Sequence, residues 1–118
     1  MEQQDLVLNL HGEVATSSVE TAEEDFLPTL LKLHTTFPDL RIVLEHCTTK
    51  VALDAVRSCN SDKVAATITA HHLYLTAEDW REDQRNDAFC FCKPVAKTAA
   101  DRDALIKAAC SGDRMFFL

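Results

Sequence analysis

Two histidines stand where chemistry could be done. His11 follows the apolar run Leu6-Val7-Leu8-Asn9-Leu10, and His46 follows Leu40-Arg41-Ile42-Val43-Leu44-Glu45. They lie 35 residues apart, about one strand–helix unit. If both runs are neighbouring parallel strands, both imidazoles reach the same C-terminal edge of one sheet, where α/β folds place their sites. Two converging neutral imidazoles are half of a tetrahedral zinc site. Zinc–nitrogen bonds of about 2.0–2.1 Å put two ligand nitrogens roughly 3.3 Å apart, so convergence predicts nearest ring nitrogens within about 3–7 Å. The competing reading is that each histidine is a hydrogen-bonded rim residue. Glu13 and Glu45 flank the pair, and each could orient an imidazole from behind or simply sit in water.

Other reactive residues are less persuasive by spacing. His71 and His72 follow a third β-branched run, but adjacent side chains in extended chain point to opposite faces, so packing is the favoured reading for both. His34 falls on a helical pattern. Cys90-x-Cys92 is narrower than the usual zinc spacing and reads better as buried free thiols. Only Gly12 and Gly112 are available, so there is no glycine-rich phosphate loop. No Ser-His-Asp constellation can be argued.

The elements that must position these residues follow from periodicity and turn signals. Strands are expected over Leu6–Leu10, Leu40–Glu45, Val64–Thr69 and Arg114–Leu118. Helices are expected over Thr21–Thr36, Val51–Arg57 and Thr98–Cys110. Thr21 and Glu24 match a capping box, although Pro28 would suit a start at Asp25 better. Thr48 or Thr49 can cap the second helix, and Gly112 suits the end of the third. Thr76–Asn86 reads as irregular with a short turn, and Ala88–Cys92 as a short extended piece. Strands alternating with helices imply a parallel sheet in sequential order with helices on one face. The strands look continuously apolar, as if buried on both faces.

The chain of 118 residues is enough for one domain with a core. Its 12 basic against 19 acidic residues, net charge −7, argue against nucleic acid or an anionic membrane as partner. No apolar run is long enough to span a bilayer, and the acidic start, Met1-Glu2-Gln3-Gln4-Asp5, is not a secretory signal. Five cysteines, an odd number without a CxxC pair, point to a reducing, cytoplasmic compartment.

Several stretches together resemble the dihydroorotase family of the amidohydrolase superfamily. They are Leu10-His11-Gly12-Glu13, then Phe37-Pro38 through Glu45-His46-x-Thr48-Thr49, then Ala65-Ala66-Thr67-Ile68-Thr69 with His72-Leu73. Phe91-Cys92-Lys93-Pro94 and Ser111-Gly112-Asp113-Arg114 with Phe116 and Leu118 complete the series. The resemblance runs in order over nearly the whole chain.

It implies a (β/α)₈ barrel and a zinc-dependent hydrolase interconverting N-carbamoyl-L-aspartate and dihydroorotate in pyrimidine synthesis. The intact family enzyme would carry two zinc ions and a carboxylated lysine, act on a small molecule and form a homodimer. His11 and His46 fall on the family's two ligands to the second metal, at the ends of strands five and six. Lys93 falls where the family's main chain contacts the pyrimidine ring, a place that often holds an apolar residue. The family's first-strand His-x-His pair, its strand-four lysine, its strand-eight aspartate and the arginine and asparagine that grip the substrate have no counterpart here. Residues 1–118 would thus be a partial barrel, strands five to eight, truncated at both ends and inactive alone. The alternatives are a hydantoinase-like cyclic amidohydrolase or a non-catalytic interaction module.

Overall fold

A computed structural model describes residues 1–81 and 89–118. The four apolar runs form four strands: β1 (Val7–His11), β2 (Arg41–Glu45), β3 (Val64–Thr67) and β4 (Phe116–Phe117). Three helices join them: α1 (Ala22–Thr36), α2 (Lys50–Ser58) and α3 (Ala99–Ala109). The sheet order is β1-β2-β3-β4 and every pairing is parallel. In β1 and β2, Val7 lies opposite Arg41 and His11 opposite Glu45. Leu27 and Leu30 of α1, Leu53 and Val56 of α2, and Leu105 and Ala108 of α3 share one core with Ile42, Leu44, Val64, Ala66 and Phe116. All three helices therefore cover the same face of the sheet, as expected.

The sheet departs from expectation in one respect. Burial alternates along β2 and β3 instead of running continuously. Ile42 and Leu44 are inside, whereas Arg41, Val43 and Glu45 are only half covered. On β1, Val7, Asn9 and His11 are exposed and Leu8 and Leu10 pack on the core. One sheet face is thus closed by helices and the other is partly open, and His11 belongs to the open one.

Local differences have local causes. α1 starts at Ala22 and runs through Pro28. Pro28 and Glu24, the residue whose carbonyl loses its helical donor, are both exposed, so water can serve that carbonyl. Thr21 makes no capping bond; its hydroxyl donates to Asp25 Oδ2 at 3.1 Å instead. Thr49 does cap α2, accepting from the Ala52 amide at 3.0 Å. Thr98 and Asp101 form a reciprocal capping box on α3. β4 is two residues long, shorter than expected, and Gly112 before it has φ +74°. Phe89–Cys92 is turn and irregular chain rather than extended strand, and Ala88 lies outside the described residues. Of Thr76–Asn86, the described part holds a single helical turn, Ala77–Asp79.

Gly12 shows how tightly β1 ends against the core. A Cβ there would lie 2.5 Å from Leu44 Cδ1 and 3.3 Å from Phe26 Cδ1. Leu44 is buried and can yield only by shifting its packed methyl. Gly12→Ala is expected to lower unfolding free energy by about 1 kcal/mol, the low end of overpacking costs, as measured by urea denaturation.

Candidate functional site

Parallel pairing brings the two histidines together at the C-terminal edge. His11 Nδ1 lies 3.0 Å from His46 Nε2, with ring centroids 4.8 Å apart and planes at 71°. The separation falls in the expected range. It is also the length of an imidazole–imidazole hydrogen bond, so distance alone admits both readings.

His46 is held by its backbone. Its φ is +43°, a region that non-glycine residues seldom enter. Thr67 at the end of β3 supports this bend. Its hydroxyl accepts from the His46 amide at 2.7 Å and donates to Glu45 Oε2 at 2.6 Å. The Thr67 carbonyl accepts from the Cys47 amide at 2.8 Å. Glu45 therefore braces the neighbouring strand, and no bond joins its carboxylate to His46. Glu13, the other flanking carboxylate, does reach an imidazole: its Oε2 is 2.8 Å from His11 Nε2. Partial burial, and then the neighbouring His11, lower the His46 pKa from its ordinary value.

The Thr48-Thr49 pair is explained by a residue that spacing did not single out. Glu23 is buried in the first turn of α1. It accepts from the Thr48 amide at 2.7 Å and the Thr49 hydroxyl at 2.6 Å. Burial raises its pKa, offset in part by those same bonds from Thr49 and Thr48. The signal was present in the sequence: positions 23, 27 and 30 share one helical stripe, and a charge on an apolar stripe needs a buried partner. Lys97 was likewise missed. Its Nζ donates to the Val19 carbonyl at 2.8 Å and the Val95 carbonyl at 3.2 Å. Desolvation lowers its pKa against the pull of Glu23 and Glu13.

His11, Glu13 and Lys93 line one open cavity of ≈ 210 Å³ together with Val14, Ser17 and Ala22. The Lys93 side chain is exposed. His72 stands apart from this opening. It is buried, with Nδ1 2.7 Å from Thr69 Oγ1 and Nε2 2.8 Å from the Pro94 carbonyl. A carbonyl only accepts, so Nε2 carries the proton and Nδ1 accepts from the threonine hydroxyl. His71 packs on the His72 ring with centroids 4.0 Å apart. His72 is thus a packing residue, as favoured, whereas His71 Nε2 is buried without a hydrogen-bond partner. The expected burial of both thiols does not hold: Cys92 is exposed and Cys90 only half-buried. Among the described residues no group of three or more His, Cys, Asp or Glu converges as a metal cage. No helix among them is long and apolar enough to cross a membrane.

Relatives can now be set beside this geometry. No family model matches the chain. A probable dihydroorotase of Schizosaccharomyces pombe is 58% identical over 120 residues, covering 99% of this chain and 34% of that protein. The dihydroorotase of Saccharomyces cerevisiae is 48% identical over 132 residues, covering 99% and 35%. The crystal structure of S. cerevisiae dihydroorotase in complex with 5-fluoroorotic acid superposes with a TM-score of 0.89 at 47% identity, over 100% of this chain and 35% of that one. Dihydroorotase from Campylobacter jejuni gives a TM-score of 0.92 at 35% identity, over 100% and 34%. Over its whole length the chain is similar to dihydroorotases. It spans about a third of the length of the curated relatives it matches. Its four-stranded sheet is a partial (β/α)₈ barrel of the dihydroorotase type.

His72 makes this segment of the dihydroorotase fold pH-sensitive. Burial lowers its pKa from 6.5 to about 4, outweighing the bond to Pro94. The unfolded chain therefore binds more protons between those values, and stability falls as pH drops from 6.5 towards 4. The full shift corresponds to about 3 kcal/mol. Glu23, whose pKa is raised, acts in the opposite direction above its ordinary value. The His72 contribution is read from urea midpoints of wild type and His72→Gln across that range. The stability gap between them should be largest at pH 7 and narrow towards pH 4.

Proposed function

We propose that this chain forms the second-metal side of a dihydroorotase active site, with His11 and His46 as ligands to one zinc ion. The reaction would be that of the family: ring closure of N-carbamoyl-L-aspartate forms a carbon–nitrogen bond and releases water, and the reverse opens dihydroorotate. Residues 1–118 would be a partial amidohydrolase barrel domain of a cytoplasmic enzyme of pyrimidine synthesis that works as a homodimer.

The single observation that supports the metal assignment is the convergence of two imidazoles at the sheet edge where both strands end, the edge at which α/β folds place their sites. The donor set suits zinc, which takes imidazole nitrogen readily. The close approach is comparable with the roughly 3.3 Å between two nitrogens on one tetrahedral ion. Zinc at this site would polarise the amide carbonyl and lower the pKa of the water that attacks it.

The remaining work falls to the chain itself. His11 is fixed at the last residue of β1, and His46 in the bend that Thr67 supports. Neither strand end can move far without breaking the β1–β2 ladder. Lys93 lines the same cavity as His11. We assign to its main chain the contact with the edge of the pyrimidine ring, which leaves the side chain unconstrained and accounts for its exposure. The cavity is smaller than the roughly 300–1,000 Å³ usual for ligand pockets, and the segment would supply one wall of the site. The dihydroorotase structure with 5-fluoroorotic acid supports a pyrimidine carboxylate as the kind of molecule bound.

A catalytic zinc usually has three protein ligands, and this pair supplies two, so the 118-residue chain should bind zinc weakly. Calorimetric titration with zinc should show that binding. His46→Ala or His11→Ala should abolish it, and His34→Ala should leave it unchanged. With zinc added, the chain alone should not cyclise carbamoyl-aspartate. Binding that survives loss of either His11 or His46 removes the metal assignment. Turnover near an ordinary enzyme's value of around 10 s⁻¹ would show that these residues suffice by themselves.

A further inference from the structure

Glu13 is a largely buried charged residue with only part of its carboxylate paired. Its side chain is only 9% exposed. One carboxylate oxygen, Oε2, is 2.8 Å from His11 Nε2. The other, Oε1, is buried without a hydrogen-bond partner. Burying a carboxylate with an unpaired oxygen costs stability. Such a group in a folded protein calls for an explanation other than packing.

The backbone aims the carboxylate deliberately. The Glu13 amide donates to the His11 carbonyl at 2.9 Å, so the chain turns tightly around Gly12. Gly12 fits because the space a Cβ would take is filled by Leu44. The turn places the carboxylate against the ring two residues earlier, on the nitrogen away from His46.

We propose that Glu13 is a positioning residue for His11, setting which imidazole nitrogen is presented to the metal. The inference rests on the reading of His11 and His46 as ligands. A carboxylate has no hydrogen to give, so His11 Nε2 carries the proton and donates it to Oε2. His11 Nδ1 is then the nitrogen with a free lone pair, and it is the one directed at His46 Nε2. The acceptor behind the ring fixes both its tautomer and its orientation. Glu45, also adjacent to a histidine in sequence, does not do the same for His46: its Oε2 accepts from Thr67 instead. The two ligands are thus held by different means: His11 through its ring, His46 through its backbone.

Two measurements on the 118-residue chain test this, one of them without metal. In the metal-free chain, a slowly exchanging imidazole N–H proton should be observed by NMR and assigned to His11 Nε2. It should vanish in Glu13→Ala and persist in Glu13→Gln, whose amide oxygen can still accept. In calorimetric titration with zinc, Glu13→Ala should bind about 10- to 100-fold more weakly, and Glu13→Gln should recover to within a few-fold of wild type. Because Gln preserves size and shape, its behaviour separates the hydrogen bond from any general loss of folding in the alanine variant. A protected N–H proton and unchanged zinc affinity in Glu13→Ala, with binding lost in His46→Ala, would overturn the positioning role and leave the metal assignment standing. Equal affinity in wild type and His46→Ala would overturn the metal assignment instead, and the inference with it.

Discussion

Five consecutive residue pairs, from Val7 with Arg41 to His11 with Glu45, hold β1 against β2 in parallel. Side chains alternate between the two faces of a sheet, so this register decides which of them meet. Shifting β1 by one residue would turn His11 into the helix-covered core and Leu10 out of it. Burial of Leu8, Leu10, Ile42 and Leu44 on one face is what forbids the shift. The register thus puts His11 on the open face beside Glu45, and the bend at His46, supported by Thr67, brings the second imidazole to it. Neither histidine needs to attract its neighbour for the pair to form.

A second constraint lies beneath the edge. Glu23 ties the start of α1 to the turn between β2 and α2 through Thr48 and Thr49. Thr49 then caps α2 with the same oxygen it uses to reach Glu23. The turn after His46 thus has a fixed path, set by one buried carboxylate and two threonines. A shared hydrogen-bond network of this kind gains from low local dielectric only when its members remain paired.

Much of this was legible in the residues. The strand runs and the spacing of His11 and His46 sufficed for sheet order, direction and the edge on which the histidines meet. The resemblance extended that to the family. What sequence patterns could not show were contacts between distant segments. Thr67 supports His46 from 21 residues away, Glu23 reaches Thr49 across 26, and Lys97 reaches Val19 across 78. Burial was misjudged because composition cannot tell a strand covered on both faces from one covered on a single face. Val43 and Val7 are apolar and sit on the partly open side. Pro28 argued for a later start to α1, but its exposure makes the missing donor tolerable.

The order β1-β2-β3-β4 has a consequence for how the molecule is made. Within this segment β2, β3 and β4 each pair with the strand that left the ribosome just before. Each pairing closes a short loop, and loop-closure entropy grows only slowly with length. Among the described strands of this segment, none is inserted between two earlier ones. Assembly can therefore keep pace with synthesis at ≈ 5–20 residues per second, one strand–helix unit at a time, with the newest strand always forming the growing edge.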